Sequence, residues 1–273
     1  MNLPPCTTLA LDLADGIAEI RLDRPDKSNA MNDAMWQEIR QAFEWADATP
    51  EVRVVILSGA GRNFCAGIDL TLLAGIQQRI AHPDGARSRE ALRRLILDLQ
   101  DCLTSVERCR KPVIAAIQGA CIGGALDLVT CCDMRYAATD AIFSVREIDV
   151  GMVADVGTLQ RLPRLIPEGV ARELAFTGRN FLADEGERLG LINRVFASHE
   201  ALTATVRELA QSIAAKSPLA TRGIKEVMNF SRDHSIADGL NFVATWNAAM
   251  LLSDDLGEAI AAQREKRAPR FAD

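Results

Sequence analysis

The chain has 273 residues, a hydrophobic content of 48% and a formal net charge of -6. That is enough apolar material for a large core, and the acidic balance argues against a general nucleic-acid surface. Seven unevenly spaced cysteines and three scattered histidines exclude a regular disulfide frame or a zinc-type site, and fit a reducing compartment.

No apolar run reaches the ~18 residues of a membrane span. The opening MNLPPCTTLALDLADG lacks a basic region followed by a long apolar run. The closing RFAD is not a peroxisomal address. These features predict a cytoplasmic protein with no membrane and no nucleic-acid partner.

Residues 7–13 and 17–22 alternate around Asp15-Gly16 and predict a β-hairpin. Asn32 is placed to cap a helix through about Ala46, with Met35, Trp36, Ile39 and Phe43 on one face. VRVVILSGAG at 52–61 reads as a buried strand closing in a glycine turn. NFCAGIDL is a loop leading into a helix. Residues 76–88 are polar, carry His82-Pro83 and Asp84-Gly85, and predict a mobile loop. Arg87 to about Arg108 is helical by periodicity. PVIAAIQG at 112–119 is a second buried strand, and GGALDLVTCCD opens a short helix. After about residue 200 only helices are predicted, with Ser235 and Asp238 as a capping pair and Trp246 and Met250 on one face. Alternating strands and helices mean an α/β fold. The apolar faces of the helical tail are broad enough to predict an assembly surface.

The chemistry concentrates in residues 119–157. Asp127, Glu147 and Asp155 each stand among residues that prefer a core: Leu126 and Leu128, Ile148 and Val150, Val153 and Val156. Acids so placed are rarely buried unless paired or used. Gly123-Gly124 opens a helix whose free N–H groups and dipole can hold an oxyanion. Gly67-Ile68 offers a second such turn. Neither a dinucleotide-binding glycine fingerprint nor a P-loop is present. Cys65 has no positioned histidine in its motif and reads as packing, not as a nucleophile.

Five stretches carry a resemblance to a known family. They are RLDRPDKSNAMN, VRVVILSGAGRNFCAGIDL, KPVIAAIQGACIGGALDLVTCCDMRYA, FTGRNFLADEGERLGLINRVF and EKRAPRF. Over nearly its whole length the chain resembles the enoyl-CoA hydratase/isomerase, or crotonase, superfamily. The resemblance implies a spiral of ββα units over residues 1–200 and a C-terminal helical trimerisation region over 201–273. It implies homotrimers, or hexamers built as dimers of trimers. It also implies acyl-CoA thioester substrates, a setting in fatty-acid β-oxidation, no metal, and no cofactor beyond the CoA of the substrate.

By the same resemblance, Ile68 and Gly124 supply the two N–H donors of the oxyanion hole. Lys27, Ser28 and Ala30, with Ala66, Gly67, Ile68, Asp69 and Leu70 and the Gly123-Gly124 pair, form the substrate and CoA contacts. Hydratases of the superfamily carry two glutamates, and here the first position is Asp127 and the second is Glu147. The third acid, Asp155, and the stretch DLVTCCDMRYAATDAIFSVREIDVGMVADVGTLQRLPRLI resemble the dienoyl-CoA isomerase branch. That branch implies proton transfer from C2 to C6 of a 3,5-dienoyl-CoA. Glu147 is assigned to C2 and Asp155 to C6, with the reverse assignment equally compatible with the sequence, and Asp127 orients or tunes Glu147. A 2-enoyl-CoA hydratase is the alternative, and it leaves Asp155 without a task.

Overall fold

The computed structural model describes residues 3–273, so the first two residues of the opening stretch lie outside the described residues. β1 (Leu9–Ala14) and β2 (Ile17–Leu22) form the expected hairpin, pairing Leu9 with Leu22 and Ala14 with Ile17. Asp15 and Gly16 both have positive φ, 54° and 78°. Two left-handed residues give a turn whose twist matches that of the strands. α1 (Asp33–Ala48) starts at Asn32, whose side chain accepts from the Met35 N–H. Its Met35, Trp36, Ile39 and Phe43 are all buried, as their shared face predicts.

β3 (Val54–Gly59) runs parallel to β2, and β4 (Val113–Ile117) runs parallel to β3. Between them lie α2 (Leu70–Arg79) and α3 (Gly85–Arg108). The mobile loop expected at 76–88 is therefore mostly helix. Only 80–84 links the two, and Asp84 caps α3 by accepting from the Ala86 N–H. The polar pattern there marks the outer faces of two helices whose inner faces carry Leu73, Ile76, Leu95 and Leu99.

The chain continues through β5 (Ala120–Ile122), α4 (Gly124–Thr130), β6 (Met134–Ala138) and β7 (Ile142–Ser144). A 3-10 turn at Arg146–Val150 precedes α5 (Thr158–Arg161), α6 (Glu168–Thr177), β8 (Phe181–Leu182), α7 (Ala183–Leu189) and β9 (Arg194–Phe196). Six strands form one sheet in the order β1-β2-β3-β4-β6-β9, parallel except for the β1-β2 hairpin. β5, β7 and β8 form a second, smaller sheet. β4 is buried at every residue because a parallel strand is covered on both faces. One cover is α1 with α3, and the other is α8 (His199–Ala214), which packs Leu202, Val206 and Ala210 onto Val54, Ile56 and Ile114.

No strand follows β9 among the described residues. α9 (Pro218–Arg232), α10 (Ile236–Met250) and α11 (Asp254–Glu265) complete the chain. Ser235 caps α10 by accepting from the Asp238 N–H, as predicted. Trp246 and Met250 line one concavity with Leu219 and Leu251. The tail leaves large apolar side chains uncovered, with Ile236 at 83%, Leu240 at 64% and Leu252 at 91% exposure.

Candidate active site

The two loops predicted to hold the substrate lie edge to edge. Ala66 donates its N–H to the Ser28 carbonyl at 2.9 Å, and Met31 donates to the Gly67 carbonyl at 2.8 Å. The buried Asn29 side chain ties them together by donating to the carbonyls of Ala60, Asn63 and Phe64. Ser28 and Asn29 both adopt left-handed φ, 49° and 55°, so the loop curls back on itself. Lys27 ends a 3-10 turn at Pro25–Lys27 and is exposed, as are Ala66 and Leu70, while Ala30 is half-buried. Asp69 is committed to structure: it caps α2 through the Thr71 N–H and pairs with Arg24 at 3.0 Å. Hydrogen bonds from Thr71, then Arg24, hold its carboxyl below the usual range.

Gly67 and the Gly123-Gly124 pair meet at the head of α4. A β-carbon on Gly67 would stand 3.6 Å from the Gly124 nitrogen, and one on Gly124 would stand 3.8 Å from the Ile68 nitrogen. The N–H groups of Ile68 and Gly124 have no backbone acceptor among the described residues. Two free N–H donors thus share one mouth, as an oxyanion hole requires. A β-carbon on Gly124 would meet Met31 Cε at 2.8 Å, so a side chain there must push the end of Met31 aside.

That mouth opens into a cavity of about 420 Å³. Its acidic lining is Glu147 and Asp155, joined by Gln77, and its apolar wall includes Trp36, Leu73, Ile76, Leu95 and Leu99. Glu147 comes from the 3-10 turn after β7. Its Oε1 lies 3.1 Å from the point a β-carbon on Gly123 would occupy, beside the oxyanion donors. Asp155 comes from the segment before α5, where Gln100 of α3 donates to the Asp155 carbonyl at 2.6 Å. Asp127 does not line the cavity. It is fully buried on α4, behind Glu147, and accepts from the Thr158 N–H.

Burial raises all three acids. Asp127 is pushed up to about 6 by burial, opposed by Thr158, whose N–H donates to its Oδ1. Glu147 is pushed up to about 7 by burial and by the neighbouring Asp127. Asp155 is raised by burial alone. A carboxyl near 7 exchanges protons in either direction at neutral pH, which suits a general base. Asp127 Oδ2 and Glu147 Oε2 are sealed from solvent with no partner, so the pair has capacity to share a proton.

The structure brings Asp127, Glu147, Asp155, Ile68 and Gly124 to one place. Three flanking residues expected in the core are on the surface instead: Ile148 at 44%, Val150 at 51% and Val153 at 72% exposure. They sit on turns that carry the acids inward and themselves outward. Sequence reasoning missed Gln100, Thr158 and the cavity wall from α2 and α3. Trp36 was legible only as core, yet its ring end reaches within 3.8 Å of the Gly124 β-carbon position. Burial pushes the Cys65 thiol up to about 12, in keeping with a packing role.

Comparison with known proteins bears on the family and the fold. A dienoyl-CoA isomerase of Arabidopsis thaliana, named as acting from the Delta(3,5) to the Delta(2,4) form and as peroxisomal, is 50% identical over 92% of this chain and 91% of its own length. The mitochondrial protein of the same name from Homo sapiens is 45% identical over 92% of this chain and 77% of its own length. A crystal structure titled enoyl-CoA hydratase, from Bacillus anthracis, superposes with a TM-score of 0.88 at 31% identity, covering 97% of this chain and 99% of that one. The cytoplasmic expectation is overturned, since the relatives are named peroxisomal and mitochondrial. It stood on the lack of recognised leader, address and span signals and on cysteines that fit a reducing compartment, none of which separates the cytosol from those organelles. The family model for enoyl-CoA hydratase/isomerase matches residues 12–273. On a crotonase fold, with paired N–H donors facing an acid-lined cavity, the chain belongs to the enoyl-CoA hydratase/isomerase family.

Proposed function

We propose that this protein is a dienoyl-CoA isomerase that converts 3,5-dienoyl-CoA to 2,4-dienoyl-CoA, as its named relatives do. The observation that carries the reading is the placement of Glu147 and Asp155 on one apolar cavity that opens at Ile68 and Gly124. The thioester oxygen accepts from the two N–H groups. C2, one bond from that carbonyl, then lies beside Glu147, whose carboxylate takes its proton. The electron pair moves onto the thioester oxygen, and the two double bonds shift by one carbon each. Asp155, farther along the acyl chain, delivers a proton to C6. Each oxyanion donor of this kind is worth ~10²–10³ in rate. The apolar wall raises the proton affinity of Asp155 and so keeps a proton available for delivery.

Asp127 acts behind Glu147. Its negative charge raises the basicity of the carboxyl in front of it. Lys27, Ser28, Ala30, Ala66 and Leu70 receive the CoA portion, with Lys27 as the cation for its phosphates. CoA arrives with the substrate, and the chemistry uses no separate cofactor or metal. The spiral core expected over 1–200 also takes in α8, which covers the sheet, and the helices after it form the oligomerisation region of a homotrimer or of a hexamer of two trimers. The uncovered Ile236, Leu240 and Leu252 support that assembly. A hydratase reading leaves the half-buried Asp155 without a task. Turnover of 3,5-octadienoyl-CoA with growth of 2,4-diene absorbance tests the proposal; water addition to 2-enoyl-CoA with no diene isomerisation defeats it.

A further inference from the structure

Glu147 and Asp155 face the same cavity but hang from different parts of the fold. Glu147 sits on the 3-10 turn beside Gly123, so its place is set by the head of α4. Asp155 lies on an irregular segment between two glycines of positive φ, Gly151 at 73° and Gly157 at 134°. The ends of that segment are pinned. Met152 donates its N–H to the Glu147 carbonyl at 3.0 Å, and the Thr158 N–H donates to Asp127. Between the pins, the backbone groups of Val153 to Val156 make no backbone–backbone hydrogen bond among the described residues. The Asp155 carbonyl is held instead by a side chain, the amide of Gln100, whose Nε2 donates to it at 2.6 Å. The segment is also thin. Val156 lines the acid-bearing cavity on one side and a second cavity of about 400 Å³ on the other, where Gln100 and Gly157 join it. A segment with a cavity on each face has little packing to fix it.

We infer that Gln100 is a positioning residue for the distal proton transfer: by anchoring the Asp155 carbonyl to α3, it aims the Asp155 carboxyl at the far end of the bound acyl chain. This inference rests on the proposed isomerase reading of the same site. Fixing that carbonyl fixes the peptide plane that follows Asp155, and with it the direction of the side chain. α3 is a firm support. It is tied to α1 by Arg40, which pairs with Asp98 at 2.6 Å and with Asp101 at 3.2 Å, and by Gln37, which donates to Asp98 at 2.9 Å. The same helix brings Leu95 and Leu99 to the apolar wall. One helix thus sets both the wall that the acyl chain lies against and the acid at its far end. Asp155 is registered to the acyl chain and Glu147 to the thioester, so the two proton transfers are positioned independently.

The test compares the parent with Gln100→Met, which keeps the length of the side chain and removes the donor. The readouts are kcat and KM for 3,5-octadienoyl-CoA, and C2 hydrogen exchange with deuterated water. Misplacing a reacting group by about 1 Å can cost ~10² in rate. We expect kcat to fall by ~10-fold or more, with KM within about twofold of the parent and C2 exchange retained. In an Asp155→Asn background, Gln100→Met should cost nothing further, because the group it positions is already gone. A role in packing alone lowers both reactions together and costs the same in both backgrounds. If Met is not accommodated, Gln100→Leu carries the same comparison. A parental kcat in the variant, a C2 exchange that falls with kcat, or an equal loss in both backgrounds overturns the inference while leaving the isomerase reading intact. A parent that exchanges no C2 hydrogen and isomerises no diene overturns both.

Discussion

Glu147 Oε1 stands 3.1 Å from the position a β-carbon on Gly123 would take. Gly123 also has a φ of 55°, so glycine is needed there twice over, for backbone and for space. Gly123→Ala should strain the turn and displace the Glu147 carboxyl. Turnover should fall by ~10-fold or more, with a larger loss in kcat than in KM, because the thioester donors stay in place. An unchanged kcat would separate Gly123 from the position of Glu147.

Gly124 limits the approach of the thioester itself. Gly124→Val places methyl groups against Met31 and in front of the Ile68 N–H. We expect a fall in turnover of ~10² or more with helical content retained, measured by steady-state kinetics and circular dichroism. Near-parental turnover would remove Gly124 from the oxyanion hole.

Stability should carry the signature of the buried acids. Asp127 and Glu147 bind protons more tightly folded than unfolded, up to about 6 and about 7 against ordinary values of 3.8 and 4.5. Between the unfolded and folded values the native state holds more protons, so stability is full below that window and falls as pH rises through it. The slope approaches about 1.4 kcal/mol per pH unit for each full proton. Urea titrations from pH 4 to 8 should show the decline, and the double variant Asp127→Asn, Glu147→Gln should flatten it. A decline of equal slope in that variant would place the titrating groups elsewhere.

Assembly is tested on the tail. Leu240 is 64% exposed and faces no core, so Leu240→Glu should fold with little loss of protomer stability. It should shift the protein to smaller species in sedimentation, since a charge at an apolar interface is costly. Parental sedimentation would take α10 out of the interface.

Local signals made much of the fold legible. The Asp15-Gly16 turn, the Asn32 cap and the Ser235 cap each act within a few residues, so side-chain chemistry alone marks them. The three acids stood out because charge is rare among such neighbours. What stayed hidden depends on distant parts of the chain. The Gln100 contact to Asp155 spans 55 residues, and the Thr158 contact to Asp127 spans 31. No local pattern marks either. The stretch at 76–88 misled because its polar residues face solvent from helices, and polarity alone does not separate a helix face from a loop. Ile148, Val150 and Val153 misled in the opposite sense, as apolar residues on exposed turns.

Asp155 is where isomerase and hydratase readings part, so Asp155→Asn is the most direct measurement. The variant keeps the side-chain shape and the Gln100 contact to the backbone carbonyl, and removes the titrating group. With Glu147 and the two N–H donors untouched, C2 exchange with deuterated water should persist. Conversion of 3,5-octadienoyl-CoA, followed by 2,4-diene absorbance, should fall by ~10²–10⁴. Loss of C2 exchange with distal protonation retained would reverse the roles of Glu147 and Asp155, and isomerisation at the parental rate would contradict the account.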